Sequence, residues 1–281
     1  MRSDLRLCPL LTNSSSKFQL KGDLHIRWCP TGPLAFLPIH AAGIYNADGT
    51  VPHSLADIAI SSYTPSLTAL LNSSEQKVSQ QSSGKLLVVS QENSPGVSPL
   101  PGAAIELQHI HQHAVDLKLS YHPLQGRDAT VTQVLSAMKK YPWVHFACHG
   151  IQDTADPMNS GLRLSDGLLY LSDIIKEPLP NAEFAFLSAC QTATGDESRP
   201  EEAIHLAAGM LLAGYRSVIG TMWSIQDNIA PLVADKVYAQ ILEDGKLNSA
   251  NAAQALQTAV RGLRESGHSF AFWVPFIHMG V

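Results

Sequence analysis

The sequence is poor in cysteine and in charge. Charged residues make up only 15% of the 281 residues and the formal net charge is −5, so no basic surface for binding nucleic acid is expected. Four cysteines without a CxxC pair exclude a zinc ribbon, and they are too few for a disulfide scaffold in a chain of this length. The cysteines are Cys8, Cys29, Cys148 and Cys190.

Long hydrophobic runs and cofactor motifs are also missing. The longest apolar stretch, residues 203–215, contains His205 and is too short to span a bilayer. The N-terminal residues MRSDLRLCPLLTNSSS contain no apolar core of signal-peptide length. Neither GxGxxG nor GxSxG occurs, and the alternating histidines of LQHIHQH lack a further ligand at zinc spacing. We therefore expect a cytoplasmic, intracellular protein with no membrane segment, no cofactor and no metal.

A polar stretch divides the chain. Residues 72–84, NSSEQKVSQQSSG, contain a single apolar residue and are typical of a linker. We expect an N-terminal part, residues 1–82, and a catalytic core, residues 83–281. In the first part, Leu24–Trp28 and Leu34–Ile39 flank Cys-Pro-Thr-Gly-Pro, which predicts a hairpin, and Thr64-Pro65 predicts the start of a short helix.

The second part alternates short apolar runs with segments of helical length. Leu86–Ser90, Val144–Ala147 and Phe184–Leu187 are such runs. This alternation predicts an α/β fold with a mostly parallel central sheet and helices on both faces. Folds of this kind bind ligands beyond the carboxyl ends of their strands.

Two of these runs end in residues with reactive side chains. Val144–Ala147 leads into His149, and Phe184–Leu187 leads into Cys190. Consecutive strands are often neighbours, so both residues are expected at the rim of one crevice. A cysteine thiol becomes a useful nucleophile when a base such as histidine assists it. Gly150 can then offer its N–H to a developing oxyanion, and the N–H of Cys190 can be the second donor.

These motifs resemble a known family. HFACHG, FLSACQTATG, WCPTGPLAFLPIHAAGIY and EEAIHLAAGMLLAGYRSVIGTMWSIQDN are similar to segments of the CHAT domain, a relative of caspases, separases and gingipains. The resemblance runs from about Lys21 to the C-terminus. It implies a caspase-like three-layer α/β/α sandwich, with His149 as base and Cys190 as nucleophile of a cysteine endopeptidase that acts on a protein or peptide.

The resemblance to separases also implies a specificity pocket. MWSIQDN follows the strand after Cys190, and separases have a similar segment with an acid that binds arginine. Asp227 is therefore the candidate for binding a basic side chain and Trp223 for an apolar wall of the pocket. The alternative is that Asp227 caps the helix that starts near Asn228.

Two further possibilities stay open. CHAT domains are often fused to tetratricopeptide repeats and this chain has none, so regulation by a repeat protein or domain outside the chain is expected. A buried cysteine can be a small core residue, and a histidine beside it can simply satisfy a carbonyl. The alternative function is therefore a catalytically silent CHAT domain that acts as an interaction or regulatory module.

Overall fold

The computed structural model describes residues 24–46, 53–75, 84–153, 156–191, 203–242 and 247–281. Within them, the strands are β1 Leu24–Trp28, β2 Gly43–Ile44, β3 His53–Ser54, β4 Ala59–Tyr63, β5 Lys85–Ser90, β6 Ser120–Gln125, β7 Trp143–Ile151, β8 Gly161–Arg163, β9 Leu168–Tyr170, β10 Phe184–Gln191, β11 Ser217–Thr221 and β12 Phe276–Gly280. The α-helices are α1 Leu67–Glu75, α2 Pro101–Asp116, α3 Val131–Met138, α4 Leu171–Lys176, α5 Ala203–Leu212, α6 Ala230–Ile241, α7 Ala252–Glu265 and α8 Phe270–Trp273.

One sheet organises the fold, in the strand order β1-β4-β12-β11-β10-β7-β5-β6. Neighbours in this order pair in parallel, except that β12 is antiparallel to β11. The hairpin of β8 and β9 extends the sheet beyond β7, while β2 and β3 form a separate two-stranded sheet. The mostly parallel sheet predicted from the alternating pattern is confirmed.

Helices cover both faces because the central strands are apolar on both sides. Trp143 and Phe186 pack with Tyr238 in one hydrophobic cluster, which holds buried residues of α2, α6 and α7. Phe146 and Met210 belong to the cluster on the opposite face, which holds buried residues of α3, α4 and α5. The result is the three-layer α/β/α sandwich that the resemblance implied.

The hairpin predicted near the N-terminus is wrong. Leu24–Trp28 is strand β1, but Gly32–Phe36 forms a 3-10 helix that begins with Gly32 at φ +57 followed by a proline. β1 pairs instead with β4, residue for residue from Leu24 opposite Ala59 to Trp28 opposite Tyr63. Leu34, Phe36 and Leu37 of the expected second strand are exposed, so this segment offers no continuous buried face for pairing.

The short helix expected after Thr64-Pro65 is present as α1. The division of the chain at residue 82 stays a prediction, although β1 and β4 of the first part join the same sheet as the second part. In the parts of the chain that the structure describes, every helix is too short or too polar to cross a bilayer.

Candidate active site

His149 and Cys190 lie opposite each other in neighbouring strands. β7 and β10 pair in parallel, and their register sets the Cα atom of Cys190 against that of His149. Adjacent strands are about 4.8 Å apart, so two residues far apart in sequence come together near the carboxyl end of the sheet. This backbone arrangement is what a nucleophile and its base require.

The sequence suggests that the strand leading into His149 ends there, but β7 continues beyond this residue. β7 continues to Ile151 because Gly150 and Ile151 pair in antiparallel with β8. His149 is only 1% exposed, so it does not stand at an open rim.

The imidazole of His149 is held in one tautomer. Its Nε2 atom lies 2.7 Å from the backbone carbonyl oxygen of Ser98. A carbonyl oxygen can only accept, so we assign the ring proton to Nε2. Nδ1 is then the basic nitrogen, and it is buried without a hydrogen-bond partner among the residues described. A general base needs a free lone pair of this kind.

The Ser98 carbonyl is a functional group that the sequence analysis missed. It lies in the loop between β5 and α2, which contains Pro99 just after Ser98 and Pro101 at the start of the helix. A residue before proline is restricted to extended conformations, so the loop is stiff where the carbonyl is presented. The loop is also tied to β7, because the N–H of Gln91 donates to the carbonyl of Ala147 at 2.8 Å.

Gly150 is buried between two strands. Its register partners are Gln191 in β10 and Leu162 in β8. A Cβ atom at this position would lie 3.1 Å from Cδ1 of Leu206 and 3.3 Å from Cβ of Ala189. The missing side chain therefore lets α5 pack closely against β7 and β10, a reason that is separate from the predicted oxyanion role.

Asp227 lies in the turn between β11 and α6 and binds another helix. Its Oδ2 atom accepts the N–H of Gly102 at 2.6 Å, so the carboxylate caps the N-terminus of α2. The cap position of its own helix α6 is Ile229, which has no side-chain cap. Because Gly102 follows Ser98 by four residues, Asp227 and His149 are attached to the same loop.

Trp223 is half-buried in the segment that follows β11. It packs against the hydrophobic clusters on both faces of the sheet. Trp223 therefore lies just beyond the carboxyl end of β11, in the same segment as Asp227.

The other described cysteines differ from Cys190 in position. Cys148 is fully buried in the cluster on the α3, α4 and α5 face, as alternation along β7 predicts. Cys29 is exposed after β1. Within the ranges that the structure describes, no group of three or more His, Cys, Asp or Glu residues could hold a metal ion.

The comparisons with known proteins show the family of the chain. The family model of the CHAT domain matches residues 5–281, nearly the whole chain. No curated protein matches the sequence.

Solved structures of a gingipain and of a separase have a similar fold. A complex of the pro- and mature domains of RgpB from Porphyromonas gingivalis is 11% identical with a TM-score of 0.52, over 79% of this chain and 55% of that chain. Gingipain R, described as an Arg-specific cysteine proteinase, is 11% identical with a TM-score of 0.51, over 78% and 53%. The separase–securin complex of Saccharomyces cerevisiae is 14% identical with a TM-score of 0.53, over 81% and 14%.

These identities show a shared fold alone. This chain spans about half the length of the gingipain chains and about a seventh of the separase chain.

Proposed function

Because the chain belongs to the CHAT domain family, we propose that it is a cysteine endopeptidase in which Cys190 is the nucleophile and His149 the base. The observation that carries the proposal is the register of the two residues, together with the Nδ1 atom of His149, which has no hydrogen-bond partner among the residues that the structure describes. The caspase-like fold of its structural neighbours supports the same reaction class.

In the proposed reaction, the thiol proton moves to Nδ1 of His149 and the sulfur attacks the carbonyl carbon of the peptide bond. The carbonyl oxygen becomes an oxyanion, which the backbone N–H groups of Gly150 and Cys190 stabilise. The carbon–nitrogen bond then breaks, and the imidazolium gives its proton to the departing amine. Water attacks the thioester with the same histidine as base, which releases the acid and restores the thiol.

The Ser98 carbonyl takes the place that a carboxylate has in a catalytic triad. It accepts from Nε2 in the neutral and in the protonated imidazole, so the ring keeps its orientation through the cycle. A neutral acceptor stabilises the imidazolium less than a carboxylate does. The stiffness of the proline-flanked loop compensates by fixing the geometry.

Asp227 and Trp223 are proposed to line the pocket for a basic residue before the scissile bond. Asp227 is half-buried in the turn that follows β11, and a carboxylate has about four lone-pair sites, of which Gly102 uses one. The remaining sites can accept a guanidinium, with Trp223 against its flat face.

Fluorogenic peptides with Arg, Asp or Leu before the cleaved bond test this proposal. We expect the Arg peptide to be hydrolysed fastest and Cys190→Ala to abolish turnover. Asp227→Asn keeps an oxygen for the N–H of Gly102 but removes the charge, so it should lose the Arg preference while the protein keeps its melting temperature. Fastest turnover of the Asp peptide would refute the pocket, and turnover that survives in Cys190→Ala would refute the nucleophile.

The 1% exposure of His149 favours a second candidate, a catalytically silent module that binds partners. Labelling with a peptide that has an electrophilic group separates the two functions. An enzyme should be modified at Cys190 much faster than at Cys8, Cys29 or Cys148, and His149→Ala should slow that modification. Equally slow labelling of all accessible thiols would support the module. Control by a regulatory repeat protein stays a prediction for either function.

A further inference from the structure

A carboxylate is buried directly behind the candidate active site. Glu106 lies on the second turn of α2 and is only 2% exposed. Its Oε1 atom accepts the hydroxyl of Ser188 at 2.8 Å. Ser188 precedes Cys190 by two residues in β10, a backbone distance of about 7 Å. Helix α2, which begins three residues after Ser98, is thus hydrogen-bonded to β10, the strand that holds the proposed nucleophile.

The other carboxylate oxygen of Glu106 faces the strand of the base. Oε2 lies 3.0 Å from Nε2 of His145, close enough for an ion pair although the geometry is not that of a hydrogen bond. On the other side of the His145 ring, Nδ1 lies 3.3 Å from the hydroxyl oxygen of Tyr238. His145 is fully buried in β7, four residues before His149. Glu106 therefore contacts both strands of the proposed dyad.

Two further polar contacts hold the start of α2. The hydroxyl of Ser90, at the end of β5, donates to the carbonyl of Ala103 at 2.9 Å. The N–H of Gly102 donates to Asp227 at 2.6 Å. Together with Glu106, these contacts fix the first two turns of α2 against β5, β7 and β10. The position of the Ser98 carbonyl follows, because Ser98 lies four residues before Gly102.

Packing alone does not explain a carboxylate at this position. Burying an acidic group is costly, and well-packed apolar residues of similar size often give equal or greater stability. A merely structural contact between α2 and the sheet could be apolar, as it is at Ile110 on the same helix. The polar contacts of Glu106 instead give α2 one fixed position along the two strands.

We propose that Glu106 is a positioning residue, which fixes α2 through Ser188 and His145 so that the Ser98 carbonyl holds the imidazole of His149 opposite Cys190. This role rests on the proposed peptidase function. Its geometric part, the fixing of α2 and of the His149 ring, can be measured without any turnover.

Three variants test the proposal. Glu106→Ala removes the contacts, while Glu106→Gln keeps an oxygen that accepts from Ser188. Glu183→Ala is the matched control, since Glu183 is also buried and its Oε1 accepts a serine hydroxyl, that of Ser249, at 2.8 Å. Glu183 directly precedes β10, at the opposite end of the strand from Cys190.

Two measurements are made on each variant. Hydrogen–deuterium exchange of residues 98–106 reports on α2. Labelling with iodoacetamide, followed by mass spectrometry, gives the rate at Cys190 relative to exposed Cys29 as an internal reference. Misplacement of a reacting group by about 1 Å can cost about a hundredfold in rate. In Glu106→Ala we therefore expect at least about tenfold faster exchange and about tenfold to hundredfold slower relative labelling.

Glu106→Gln should lie between the parent and Glu106→Ala in both measurements, because its oxygen keeps the Ser188 contact while the carboxylate oxygen that faces His145 is lost. Glu183→Ala should change neither. The proposal is wrong if Glu106→Ala exchanges like the parent, or if Glu183→Ala slows the labelling of Cys190 equally. A parent in which Cys190 reacts no faster than Cys29 would refute the peptidase function, and exchange in Glu106→Ala would still decide whether Glu106 positions α2.

Discussion

The substitution Gly102→Ala tests how closely the candidate active site depends on the start of α2. A Cβ atom at residue 102 would lie 2.2 Å from the carbonyl oxygen of Asp227 and 2.7 Å from its Oδ1 atom. Ordinary contacts begin at 3.4 Å, so the helix or the turn at Asp227 must move by about 1.2 Å. That movement breaks the 2.6 Å hydrogen bond from the N–H of Gly102.

The cost has two parts. Overpacking in a tight site costs about 1–3 kcal/mol. Losing a hydrogen bond to a charged group costs about 1.5–3 kcal/mol. We therefore expect the free energy of unfolding of Gly102→Ala to fall by about 2.5–6 kcal/mol, as measured by urea denaturation. The Ser98 carbonyl moves with the helix start, so labelling of Cys190 should slow by up to about a hundredfold.

Gly167→Ala is the control for this prediction. Gly167 lies in the turn between β8 and β9, and a Cβ atom there would have no heavy atom within 4 Å. The free energy of unfolding of Gly167→Ala should stay within about 0.5 kcal/mol of that of the parent, and the labelling rate of Cys190 should not change. If Gly102→Ala matches Gly167→Ala in both measurements, the contact between α2 and Asp227 does not set the position of the imidazole.

Three further predictions concern stability. Burial lowers the pKa of His278 to about 3 and that of His40 to about 4, so both stay neutral in the folded state while their unfolded forms gain protons below pH 6.5. Stability should therefore fall by on the order of 5 kcal/mol between pH 7.5 and 4.5, and an unchanged urea midpoint would contradict this. Ser62→Ala leaves Nδ1 of His278 without its 2.6 Å partner and should cost about 1–3 kcal/mol in the same assay. Asp57→Asn weakens a partly exposed ion pair with Arg264, so the free energy of unfolding should fall by less than about 1 kcal/mol. A larger loss would contradict the view that this pair is a weak surface ion pair.

The parts of the fold that follow local pattern could be predicted from the sequence. The apolar runs at Val144–Ala147 and Phe184–Leu187 became β7 and β10, because strands covered by helices on both sides need side chains that are apolar on both faces. The parallel sheet followed from their alternation with helices. The neighbouring positions of His149 and Cys190 followed from the tendency of consecutive strands to pair.

Features that depend on pairing over long distances could not be predicted. β1 pairs with β4, and nothing local in Leu24–Trp28 distinguishes that partner from a nearer one. The continuation of β7 past the expected strand end depends on β8, a three-residue strand that pairs with Gly150 and Ile151. The partner of the imidazole is a backbone carbonyl, which every residue has, so no residue type marks it. Only the prolines around Ser98 indicate a stiff loop there.

The antiparallel strand β12 has a consequence for synthesis of the chain. It lies between β4 and β11, so the sheet connects its N-terminal pair, β1 and β4, to the remaining strands through residues 276–280. More than 200 residues separate Tyr63 from Phe276, and a ribosome adds about 5–20 residues per second. For roughly 10–40 s, therefore, the nascent chain holds a β4 edge whose final neighbour has not yet been made. During that interval a chaperone that shields this edge would prevent misassembly between chains.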